Sequence, residues 1–162
     1  MQLLSLKSPL VIAAFTLAAA AAQAQVPQYG TSINHEMARK TLAAAIAESR
    51  KQGLPMAVAI VDNAGQLVAF ERMDNTQTAS TAVAQDKAVS AAMFRRPTKA
   101  FQDAVAGGGA GLRVMMLRGA NAVEGGLPIV VDGKIIGGIG VSGGTSEQDG
   151  AIAKVALDAL AK

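Results

Sequence analysis

His35 is the only histidine in the 162 residues, and the chain has no cysteine. Those two facts decide most of the metal and nucleophile chemistry within reach. A thiolate nucleophile, a thiolate zinc site and an iron–sulfur cluster are excluded. Zinc held by one imidazole and no thiolate would lack its usual donors, and no convincing partners complete a Ser-His-Asp triad. One imidazole does suffice for axial ligation of a haem iron. The alternative for His35 is a solvent-facing or capping residue near a helix start.

Lys87 is the second residue of interest. Val83, Lys87, Ala91 and Phe94 fall at i, i+4, i+8 and i+11, so a cation lies within an apolar helical stripe. Either its stem packs while its ammonium reaches water, or it contacts an anion at a pocket or subunit interface. Arg95, Arg96 and Thr98 close the same helix in the run RRPT. Arginine forks bond carboxylates bidentately, and cations at a helix C-terminus are also good capping. A small anionic ligand held by Lys87, Arg95, Arg96 and Thr98 is therefore one expectation.

GIGVSG, residues 138–143, spells the G-x-G-x-x-G of dinucleotide-binding folds. Its context does not match. The helix after Gly143 runs to the end of the chain, leaving no second parallel strand and no acid at a strand end. The glycines are read instead as places where something packs closely on a strand.

The elements that must carry these residues follow from period and punctuation. Thr31 or Ser32 is expected to cap a helix running to about Gln52, stopped by Gly53 and Pro55. Met56–Asp62 and Gln66–Met73 read as a hairpin around DNAG, and Leu127–Val131 and Lys134–Val141 as a second around Asp132-Gly133. Between them lie helices over Ala79–Phe94 and from Pro97 to about Ala106, a glycine loop at 107–111, and Leu112–Leu117 as a short strand or helical turn. Thr145–Gln148 offers a capping box to a last helix, whose Ile152, Val155, Ala156, Ala159 and Leu160 form one apolar stripe. Two hairpins with helices at both ends indicate an α+β fold built on an antiparallel sheet.

The N-terminus reads as something other than fold. Lys7, the apolar run from Pro9 to Ala22, and Ala22-Gln23-Ala24 form a secretory signal peptide cleaved after Ala24. Residues 25–31 are a lead-in and 32–162 a single domain in a periplasmic or secreted protein. No other segment is apolar and long enough to span a bilayer. The net charge is only +3, one unit of it from Lys7, and no Lys/Arg stripe interleaved with aromatics marks a nucleic-acid surface.

Taken together, AVAIVDNAGQLVAFERMDN (57–75), DKAVSAAMFRRPT (86–98), GGLPIVVDGKIIGGIGVSGG (125–144) and EQD (147–149) resemble the GlcG/HbpS-like haem-degrading-domain family over about Ser32–Leu160. The resemblance implies a profilin-like antiparallel sheet of about five strands flanked by helices, and homo-oligomers, octamers among them. It also implies haem as a ligand in some members, with His35 matching the region of helix 1 whose histidine ligates iron in some relatives. Lys87 and Arg96 match recurring positions near a pocket or interface. An exported haem-binding protein is the leading reading. A non-catalytic module for small organic acids, or an enzyme acting on haem or a small acid, are the alternatives. The four aromatic residues beyond the leader, Tyr29, Phe70, Phe94 and Phe101, offer few ring contacts to a deep haem pocket.

Overall fold

The computed structural model describes residues 26–160; the proposed leader and its cleavage site lie outside them. The order is β1 (Gln28–Tyr29), α1 (His35–Gln52), β2 (Ala57–Asp62), β3 (Leu67–Arg72), α2 (Ser80–Phe94), α3 (Lys99–Ala106), a 3-10 segment (Gly109–Met116), β4 (Gly126–Val131), β5 (Lys134–Ser142) and α4 (Ser146–Leu160). The α+β class holds, with five strands in one sheet.

Both hairpins form where turn chemistry places them. Asp62 Oδ1 accepts the N–H groups of Ala64 and Gln66, closing the β2–β3 turn. Asp132 and Gly133, both at positive φ, make the two-residue turn between β4 and β5. β5 is the central strand, antiparallel to β2 on one side and β4 on the other.

Of the two readings of Leu112–Leu117 the helical turn holds, since it lies mostly within the 3-10 segment and at its end. The fifth strand is instead β1, inside the expected lead-in, and it runs parallel to β5 through Gln28↔Lys134 and Tyr29↔Ile135. The sheet is therefore mixed. Two residues with no apolar alternation give no strand signal; the pairing is held by tertiary contacts. Gly30 N–H donates to Ile135 O, and Tyr29 Oη donates to Met93 O at 2.8 Å.

The α1 cap is likewise Asn34, not Thr31 or Ser32. Its Oδ1 accepts from Met37 N–H at 2.8 Å. Ile33 is buried and its N–H donates to Ile136 O, so the chain stays extended one residue further before it can turn. The Thr145–Gln148 capping box forms as read: Thr145 N–H donates to Gln148 Oε1, and Gln148 N–H to Thr145 Oγ1.

Side chains alternate across the sheet. Val58, Ile60, Ile139 and Val141 pack under α1 and α4 with Ala45, Ile46, Ile152 and Ala156. Ala57, Ala59 and Val61 pack against α2 through Ala84, Ala88 and Ala92, with Phe70 of β3 at the side of the cluster. On that second face the β5 residues are Gly138 and Gly140. A methyl group at Gly140 would overlap Ala84 O, one at Gly138 would crowd Ala88 O, and one at Gly126 on β4 would overlap Lys87 O. The signature glycines thus let the backbone of α2 rest on the backbone of the sheet.

Candidate functional site

The sequence-picked residues part company in three dimensions. Lys87 is 1% exposed on the sheet-facing side of α2. Its Nζ donates to Asp149 Oδ2 at 2.7 Å and to Val141 O at 3.0 Å. Asp149 Oδ1 in turn accepts Gly144 N–H. The snorkelling expectation fails because the stem points into the protein, with Gly125 giving the ammonium its space. Asp149, in the EQD stretch, is the partner that sequence reasoning missed. Lys87 precedes it by 62 residues, and no local spacing announces such a pair.

Thr98 is buried and exchanges two bonds with Gly126: its N–H donates to Gly126 O, and its Oγ1 accepts Gly126 N–H. Arg95 ends α2 in the left-handed conformation, its guanidinium 5.4 Å from the Tyr29 ring centroid and within 3.5 Å of Pro27 O. Arg96 is exposed, with its guanidinium over Phe101. Lys87 and Thr98 are therefore committed to the interior, Arg95 to the N-terminal strand, and only Arg96 faces solvent. None of the four lines either of the two clefts that border α1.

His35 has a different setting. It is the first residue of α1, exposed, on the same helical turn as Asn34 and Met37. Met37 lines two neighbouring clefts. One, of about 550 Å³, runs between α1, β4 and α4 and is walled by Ile129, Val131, Leu157 and Leu160. The other, of about 470 Å³, is bounded by Gly30–Ser32, Asn34, Asp132 and Lys134. Each falls within the size range of small-molecule sites. His35 lines neither, but stands at the head of the helix that borders both. The clefts themselves offer Met37, an apolar wall and the Lys134 side chain, a lining that suits an amphiphilic ligand with an apolar body and an anionic edge, while the imidazole stands outside that lining. Among the described residues no cluster of three or more acidic or histidine side chains could hold a free metal ion.

A family model described as haem degrading protein HbpS-like matches residues 33–158. The chain belongs to this family. It is 38% identical to protein GlcG of Escherichia coli K12 over 110 residues, covering 68% of this chain and 81% of GlcG. Among solved structures it is similar to Klebsiella pneumoniae OrfY, with TM-score 0.77, 29% identity, and coverage of 83% of this chain and 94% of that one. It is also similar to PduOC, solved as a complex with haem, with TM-score 0.72, 30% identity, and coverage of 80% and 95%. The HbpS-like match spans α1 through most of α4, so His35, the glycine-bearing strand and the Lys87–Asp149 pair all fall within it.

Proposed function

We propose that this chain is an exported, homo-oligomeric haem-binding protein used in haem handling or sensing, with His35 as the axial ligand supplied by α1. The observation that carries this reading is an exposed imidazole at the head of a helix that borders two neighbouring clefts, one of them walled by apolar side chains, in a family whose relative PduOC was solved with haem. Met37 and the β4–α4 wall would cover the apolar macrocycle, and Lys134 would meet a propionate. Haem, when bound, supplies a redox-active iron. The protein's part is to ligate it, orient it and limit water around it. The small-acid reading is less well supported, because Lys87 and Thr98 are buried in bonds within the protein, Arg95 is half-buried against Tyr29, and none of the four lines the clefts that border α1.

A haemin titration followed in the Soret region tests this. A saturable shifted band that is lost in His35→Ala is the expected result. A band that persists in His35→Ala moves the ligand elsewhere, and the absence of any saturable band sinks the haem reading. Export is tested separately, by sequencing the N-terminus of protein recovered from outside the cytoplasm and finding Gln25.

A further inference from the structure

A single exposed apolar side chain needs no explanation, but a run of them does. Leu112, Met115, Met116 and Leu117 are all exposed, Met115 at 71% and Met116 at 86%. Four of the eleven exposed large hydrophobic residues described thus fall within six positions, which makes a patch rather than a scatter. The cause is local. The 3-10 segment that carries them packs against α3, where Gly111 lies so close to Ala104 O that a methyl group would overlap it. Residues three apart eclipse one another in a 3-10 helix. Val114 is the residue turned inward, so the ridge of Leu112 with Met115 and the ridge of Arg113 with Met116 are left facing out.

The charge of this patch has one sign. Arg113 and Arg118 flank the apolar run, both exposed and in none of the ion pairs among the described residues. No acidic residue lies between Asp103 and Glu124 in the sequence. Asp103 itself, on the supporting helix, is held by Lys99 at 2.7 Å. Apolar side chains bracketed by two uncompensated guanidiniums match the interface of an anionic bilayer. Methionine and leucine side chains enter the boundary between headgroups and acyl chains, arginine stems pack beside them, and the guanidiniums stay level with the phosphates.

We propose that Leu112–Arg118 is a peripheral docking surface for membranes bearing anionic lipid. The surface is separate from the clefts that border α1 and does not depend on the haem reading. Vesicle flotation of the chain from Gln25, which leaves out the apolar leader and keeps every described element, tests it. The vesicles are phosphatidylcholine with or without phosphatidylglycerol. The wild type should float with the anionic vesicles, poorly with the neutral ones, and less as salt is raised. An arginine at such a surface contributes roughly fivefold, so Arg113→Gln with Arg118→Gln should weaken binding by roughly 25-fold. Arg113→Lys with Arg118→Lys should retain it, and so should Lys154→Gln on α4. Met115→Ser with Met116→Ser should weaken it by roughly tenfold or more. Every side chain changed here is exposed, and far-UV circular dichroism matching wild type certifies each variant as folded. No flotation with anionic vesicles, equal flotation with neutral ones, or indifference to both the glutamine and the serine pairs overturns the proposal. So does a sedimentation coefficient that falls on Met115→Ser with Met116→Ser in the absence of lipid, because the patch would then be a contact between protein chains.

Discussion

Lys87 shows what a single residue type can and cannot announce. A lysine in an apolar stripe is visible in the sequence, and its anomaly is real, but its partner is set by how β5 leads into α4. Removing one member of a buried pair leaves the other charge without compensation. Lys87→Met should therefore cost about 3–5 kcal/mol in urea unfolding. Lys87→Met with Asp149→Leu should cost clearly less, because both charges leave together. Equal losses for the single and double variants would show that the pair is not the source of the effect. His35 is the converse case. Its type was legible as the one candidate iron ligand, while its exposure and its place beside Met37 needed the fold. Arg95 was read as a ligand contact because a guanidinium is chemically suited to one; the Tyr29 ring that occupies it comes from a segment with no strand signal.

At the scale of elements, hairpins and helices were legible because their cues are local. The Asp132-Gly133 turn and the Thr145 capping box each sit within a few residues of one another; the stripe read along α4 is right at Ile152, Ala156 and Leu160, but Val155 is exposed and Ala153 and Leu157 pack on the core instead. What escaped were elements defined by distant partners: β1, and the shift of the α1 cap to Asn34. Asn34→Ala should lower stability by about 1 kcal/mol, whereas Thr31→Ala should change it little; equal effects would restore the earlier cap. The glycines of β5 belong here too. Gly140→Ala places a methyl group against a carbonyl that cannot yield, and should cost about 3 kcal/mol or prevent folding. The same change at Gly53 meets nothing within 4 Å, and its penalty is confined to its positive φ. Thermal unfolding of the two variants side by side separates close packing from backbone conformation.

For the whole molecule, the α+β class and the sheet-and-helix layers were legible from element order alone, but the inequality of the two faces was not. One face is filled by branched side chains and holds through their burial. The other brings alanine and glycine surfaces together, with no ridges to lock into grooves. Such a contact is mechanically smooth: little in it resists α2 sliding along the strands, since no rotamer has to change as it moves. The Lys87–Asp149 bond crosses that contact and ends on α4, so it works as a pin through a plain bearing. Pulling the pin should loosen one layer and spare the other. In Lys87→Met, amide hydrogen exchange should quicken across α2 while α1 keeps its protection, and uniform loosening of both would mean that the two faces are not mechanically separate.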